Sequence, residues 1–201
     1  MKMFLKKQKR SRSRGFTLIE LLISISIFVV LTGVVLFSQN SFDDTILLNN
    51  LAYDVALTVR QAQTYGVNGK ESSLGTFSAY GVYFDLNPDG SNKSFVLFAD
   101  TDNSSSTASV IYCPANDPEC LQKYTIKRGN YIKKLCAGDN ATYCYNLPVV
   151  SIVFRRPNPG AYIYDITSFT IPKNYAEIVV ASANGAEKTI VVTSVGQIYV
   201  K

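Results

Sequence analysis

Arg14-Gly15-Phe16-Thr17-Leu18-Ile19-Glu20-Leu21-Leu22 opens the stretch on which the reading of this chain turns. From Leu21 to Phe42 there follow 22 consecutive residues without a charge, dominated by Leu, Ile, Val and Phe, which is long enough to cross a bilayer as a helix. Seven cations precede it: Lys2, Lys6, Lys7, Lys9, Arg10, Arg12 and Arg14, and no further cation follows until Arg60. That asymmetry keeps the extreme N-terminus cytoplasmic and exports everything after about residue 42.

The same seven residues account for the basic balance of the chain. Its formal charge is +5 and its pI about 8.9. Taking those seven from the 20 basic residues leaves 13 against 15 acidic ones, so the body is slightly negative. The excess is a topogenic signal rather than a nucleic-acid footprint. With 201 residues there is room for one globular domain and one membrane segment. Histidine is absent, which removes the commonest general base and the usual transition-metal ligand; no spacing of carboxylates makes a case for catalysis either, and the expectation is a protein that is not an enzyme.

Three plainer readings of the apolar stretch compete. A secretory signal has a shorter apolar run and a small-x-small cleavage site, whereas this run ends in Phe37-Ser38-Gln39-Asn40. A buried helix of a globular core has no use for a block of cations beside it. A plain anchor meets both tests but leaves Glu20 unexplained, a carboxylate at the hydrocarbon boundary that needs a partner. Cleavage after Gly15 would supply one, because the new α-amino group of Phe16 would lie about one helical turn from Glu20. Glycine before the cut lets the backbone enter a protease in extended form.

In this order, basic leader, Gly15, Phe16, the Thr17-Leu18-Ile19-Glu20 run and the long apolar helix resemble the prepilin leader and cleavage motif of type IV pilins and type II secretion pseudopilins. The resemblance covers about the first 45 residues. It implies that prepilin peptidase cuts between Gly15 and Phe16 and methylates the Phe16 amine, and that Glu20 is the carboxylate that pairs with an N-terminal amine during filament assembly. The implied partners are other pilin or pseudopilin subunits, an inner-membrane assembly platform and, before assembly, membrane lipid. The implied place is the inner membrane as a single-pass protein with its head exported, and then the filament of a pilus or pseudopilus.

The helix is expected to continue past the membrane, because Leu48, Leu51, Val55, Val59 and Ala62 recur at spacings of three and four while Asn50, Asp54 and Gln61 mark a wetter face. Gly66 and Gly69 are expected to end it. Within the apolar half, Gly33 among β-branched residues is either a weak point that loosens on assembly or a site of close helix packing. This divides the chain into a cleaved leader (1–15), a long helix (16–66, membrane segment about 16–42) and a β-rich head (67–201).

After residue 70 the pattern turns to short β-rich runs, with strands expected at Tyr80–Phe84, Phe95–Ala99, Val110–Cys113, Lys123–Lys127, Val149–Phe154, Tyr162–Ile166, Glu177–Ala181, Thr189–Thr193 and Gln197–Val200, and a type I′ turn at Asn184-Gly185. The expected class is α+β, a pilin-like fold in which the long N-terminal helix packs on an antiparallel sheet. Val59-Arg60-Gln61-Ala62-Gln63, Tyr80-Gly81-Val82-Tyr83-Phe84 and the closing Val192-Thr193-Ser194-Val195-Gly196-Gln197-Ile198-Tyr199-Val200 resemble GspH/FimT-type minor pseudopilins, which implies a low-abundance subunit at a filament tip or in a pseudopilus.

Cys113, Cys120, Cys136 and Cys144 all fall in the exported head, as disulfides formed outside the cytoplasm would. Three pairings are open; two local loops, Cys113–Cys120 and Cys136–Cys144, are the expectation, and the spacings lack the short paired gaps of a zinc site. Asp85-Leu86-Asn87-Pro88-Asp89-Gly90 opens like a calcium loop with Asp85, Asn87 and Asp89 as ligands, and Asp100 and Asp102 as possible additions. Lys93 and Val96 then stand where oxygen ligands are needed, and Pro88-Asp89-Gly90 already reads as a turn. No cofactor other than calcium is suggested. The basic pairs Lys127-Arg128, Lys133-Lys134 and Arg155-Arg156 lie among aromatics, and some relatives in the minor-pilin family bind DNA. That makes a tip-located binding module, for DNA uptake or surface adhesion, the alternative to a purely structural subunit; solvated strand or turn positions are the plainer reading of the charges. Asn103–Ser109 reads as a polar loop.

Overall fold

A computed structural model of the chain describes residues 15–70, 78–86, 91–101, 119–165 and 168–201. Among the described residues one helix, α1 (Leu18–Asn68), is followed by eleven strands: β1 (Ala79–Asp85), β2 (Ser94–Asp100), β3 (Cys120–Thr125), β4 (Tyr131–Gly138), β5 (Cys144–Leu147), β6 (Val149–Arg155), β7 (Asn158–Asp165), β8 (Ser168–Lys173), β9 (Tyr175–Ala181), β10 (Glu187–Thr193) and β11 (Ile198–Val200), with a 3-10 turn at Ser91–Lys93. The architecture is α+β, and by contacts the chain divides after Phe42 into an N-terminal apolar unit and a head.

α1 begins two residues later than expected. Thr17 is its N-cap: the Thr17 hydroxyl accepts from the Glu20 amide at 3.3 Å and the Thr17 carbonyl from the Leu21 amide at 3.2 Å. Thr17 and Glu20 stand at the two ends of a Thr-x-x-Glu capping-box sequence, and the acid in the first turn complements the positive end of the helix dipole. The helix also ends later than expected, because Gly66 does not stop it. A Cβ on Gly66 would lie 2.4 Å from the Phe154 carbonyl oxygen, so this glycine is there to let the last turns of α1 press against β6. The stop comes at Gly69, with φ of +62°, where the Lys70 amide donates back to the Tyr65 carbonyl at 3.1 Å, the six-to-one bond of a Schellman cap.

In the head, one stripe of α1 is buried: Leu48, Ala52, Val55, Val59 and Ala62, at alternating spacings of four and three. The strands divide between two antiparallel sheets rather than forming one. The six-stranded sheet runs β3-β2-β1-β6-β7-β8 and the five-stranded sheet β11-β10-β9-β4-β5. Tyr80, Val82 and Phe84 of β1 and Ile152 of β6, from the first sheet, meet Leu135 of β4 and Ile178 of β9, from the second, in one core with the helix stripe. Val110–Cys113 lies outside the described residues. β4, β5 and β8 occur where no strand was expected.

The Asn184-Gly185 turn forms, but not as a type I′ turn. Only Gly185 has positive φ, with its amide bonded to the Ser182 carbonyl and the Ser182 amide to the Ala186 carbonyl, which is a type I turn closed by a glycine bulge. The two successive positive-φ residues that a type I′ turn requires are instead Arg128 and Gly129, between β3 and β4.

Candidate functional site: the processing and anchoring segment

Gly15, Phe16 and Thr17 precede the helix in no regular structure and are exposed; Phe16 is 79% exposed. A Cβ built on Gly15 meets nothing within 4 Å. The Gly15–Phe16 peptide bond therefore presents an open, non-helical backbone two residues before a firmly capped helix. Proteases bind such backbone in extended form and cannot bind a helix. Of the leader (1–15), residues 1–14 lie outside the described residues.

Beyond the cap, Leu18–Leu36 is a helix long and apolar enough to cross a membrane, and none of it is buried within the chain. Fourteen large apolar side chains between Leu18 and Leu36 are each more than half exposed. Burying one such side chain is worth about 1.5–3 kcal/mol, so the segment leaves tens of kcal/mol unclaimed against a net domain stability of about 5–15 kcal/mol. Water is the wrong solvent for this surface; lipid, or apolar protein, is the right one. The hydroxyls agree with this: Ser24, Ser26 and Thr32 each donate to the carbonyl four residues back, Glu20, Leu22 and Phe28, at 2.7, 2.8 and 2.8 Å. They need no water. Glu20 is the one acid of the segment, at its mouth. A Cβ on Gly33 meets nothing within 4 Å, so this position is available for close approach by another helix.

In the head, the three stretches singled out by their resemblance to minor pseudopilins meet at the C-terminal end of α1. Arg60 donates to the Ile198 carbonyl at 2.8 Å, and the Gln63 amide to the Pro159 and Gly196 carbonyls at 2.9 and 3.1 Å. Tyr65 stands edge-on to Tyr80 of β1, and the Tyr80 hydroxyl donates to the Lys70 carbonyl at 3.0 Å. Burial raises the Tyr80 phenol, whereas the Gln61 amide bound to the Tyr65 hydroxyl, helped by Lys70 over its ring, lowers that of Tyr65. This junction ties α1 to both sheets and carries no catalytic constellation.

Cys136 and Cys144 are joined to each other, and Cys120 is disulfide-bonded as well; Cys113 lies outside the described residues. The Cys136–Cys144 pair lies beside Glu177, close enough for the three ligand atoms to suggest a metal, but bonded sulfurs offer no thiolate. Glu177 is occupied otherwise: Tyr175 donates to it at 2.6 Å and Lys201 at 2.8 Å. Its partial burial favours the neutral acid, but the bonds from Lys201 and Tyr175 and the charges of Lys201 and Lys134 outweigh that and hold the carboxyl below the usual range. Burial and the bond to Glu177 push Tyr175 up to about 12.

Of the calcium candidates, the two among the described residues stand at opposite ends of the β1–β2 pair. Asp85 is buried at the end of β1, Asn87, Asp89 and Asp102 lie outside the described residues, and Asp100 is buried in an ion pair with Arg155 at 3.1 Å. Arg155 reaches Asp100 past Ala79, which pairs with Asp100 and is small enough to leave room. The nucleic-acid candidates are scattered too. Arg156 lays its guanidinium against Gly69, at the carbonyl end of α1. Lys127 and Arg128 lie in the β3–β4 turn and are exposed. Lys133 is bonded to Glu187.

An apolar N-terminal helix long enough to cross a membrane, an exposed non-helical backbone just before it and a disulfide-bonded β head fit a membrane-anchored precursor. Residues 10–36 match the prokaryotic N-terminal methylation motif, which supports a precursor of the type IV pilin or pseudopilin kind. No curated protein and no solved structure matches the chain.

Proposed function

We propose that the chain is cut between Gly15 and Phe16 by a prepilin peptidase, methylated on the Phe16 amine, and assembled through α1 as a minor subunit of a type IV pilus or type II secretion pseudopilus. The observation that carries this is the exposed Gly15–Phe16 bond immediately before a Thr17-capped helix whose apolar surface has no cover of its own. Cleavage leaves an ammonium at the positive end of the helix dipole, where it is unfavourable; Glu20, in the first turn, offsets it or accepts the ammonium of a neighbouring subunit. Apolar surface then passes from lipid to the filament core. The anchor sits in the inner membrane with the leader cytoplasmic and the head outside, handed on by an assembly platform.

N-terminal mass analysis of the membrane-bound form tests this. The expected product begins at Phe16 with a methylated amine, Gly15→Val retains the leader, and Glu20→Ala is cleaved normally but enters filaments poorly. A mature form beginning elsewhere removes the reading. Undiminished filament entry by Glu20→Ala removes the role of Glu20.

A further inference from the structure

We propose that Asn140 is an acceptor for N-linked sugar on the exported head. The inference rests on the export of the head read above. Asn140-Ala141-Thr142 has the Asn-x-Ser/Thr pattern, with x other than Pro, that accepts N-linked sugar in exported proteins. The same pattern occurs at Asn92-Lys93-Ser94 and Asn103-Ser104-Ser105, so sequence alone does not choose among the three. The fold separates them. Asn92 is half-buried in the 3-10 turn and Ser94 already belongs to β2, while Asn103 lies outside the described residues. Asp139–Tyr143, by contrast, is an exposed turn between β4 and β5. The Asp139 amide donates to the Tyr143 carbonyl at 3.2 Å, and the Cys136–Cys144 disulfide clamps the base of the turn.

Within that turn the Asn140 Oδ1 accepts from the Thr142 amide at 2.9 Å and from the Tyr143 amide at 3.0 Å. Only an oxygen can accept these two bonds, which fixes the orientation of the side-chain amide and leaves its Nδ2 on the solvent side. An amide nitrogen is a poor nucleophile because its lone pair is shared with the carbonyl, and it reacts as its proton leaves. Charge then builds on Oδ1, where two N–H donors are already aimed. The donor implied is a sugar activated at C1 by a lipid-linked phosphate and delivered by a membrane glycosyltransferase. The Nδ2–C1 bond forms as the C1–O bond to phosphate breaks, the lipid phosphate leaves with that electron pair, and the Nδ2 proton passes to a base of the transferase. β5 is the open edge of the five-stranded sheet, and Tyr143 and Tyr145 beside the acceptor are 60% and 66% exposed. A hydrated sugar at this turn screens that edge from pairing with another strand.

The full chain purified from the membranes of the cells that make it provides the test, read by mass after reduction and digestion with trypsin. The expected result is that the peptide of residues 135–155 carries the added mass of one or more sugar units. The increment is lost in Asn140→Asp, which keeps an oxygen acceptor for the turn but has no Nδ2, and in Thr142→Ala. Thr142→Ser and Asn92→Gln retain it. The N-terminal peptide of the same digest reports cleavage at Gly15–Phe16 separately, so a fault in the processing reading and a fault in this one are told apart. A wild-type 135–155 peptide of unmodified mass overturns the proposal, as does an increment that survives Asn140→Asp.

Discussion

Residues 15–42 and 43–201 solve opposite problems with similar materials. Between Leu18 and Leu36 the large apolar side chains face outward and the hydroxyls are satisfied inward; in the head, Leu48, Val55 and Val59 of the same helix are sealed against two sheets. The difference teaches that α1 is two helices in physical terms. One is stabilised by what it will be placed in, the other by what it is already packed on. The boundary falls where the charge-free run ends at Asp43-Asp44.

A matched pair of substitutions breaks this comparison most directly. Val55→Asp puts a carboxylate where the wild-type side chain is 0% exposed, and it is expected to cost the head about 4 kcal/mol or more, a large part of its stability. Val30→Asp, at a position 65% exposed, is expected to leave the denaturation midpoint of the head unchanged and to impair membrane insertion instead. Near-UV circular dichroism during denaturation, with membrane fractionation alongside, separates the two. Loss of head stability in Val30→Asp would mean that the units are not independent.

Reduction of the disulfides sharpens the same contrast. The Cys136–Cys144 bond closes a loop with a sequence separation of 8, for which chain entropy gives about 2.5 kcal/mol. Cys136→Ser/Cys144→Ser should lower head stability by about that amount and leave fractionation with the membrane untouched, since the anchoring unit contains no cysteine.

How much of this was legible in the sequence follows the same division. The apolar helix is legible in the sequence, because a membrane-length segment is defined by local composition; the Thr17 cap, present there as Thr-x-x-Glu, is the local feature that composition does not give. The head is defined by long-range pairing and was read in part. β4 was missed because Ile132 and Leu135, both in the core, are three residues apart, which breaks the alternation of a strand. The structure restores it by bulging Lys133 out of register between Ile132 and Lys134, so that it meets Glu187 instead. β5 and β8 are sheet edges, and β8 contains a proline, so the usual strand signals are weak there. Arg60, Gln63 and the Gly196 turn could be singled out by resemblance, but nothing in their spacing said that they touch across more than 130 residues.

The smallest expected effect lies on the open face of the five-stranded sheet. Glu177 has its carboxyl held below the ordinary value of 4.5, so its ionised form stabilises the head above about that pH and the contribution is lost as pH falls through the folded value. Lys201 is raised above 10.5 by its bond to Glu177, and Tyr175 is pushed up to about 12; their contributions are present at neutral pH and are lost only as pH rises past those values. Because Glu177 is only partly buried and its partner Lys201 is half exposed, solvent screening keeps the net gain below about 1 kcal/mol. Glu177→Gln should therefore lower head stability slightly at pH 7 and not at pH 3, where the wild-type acid has lost the same contribution. An undiminished gap between the two proteins at pH 3 would show that the side chain acts through packing beside Cys136 rather than through its charge.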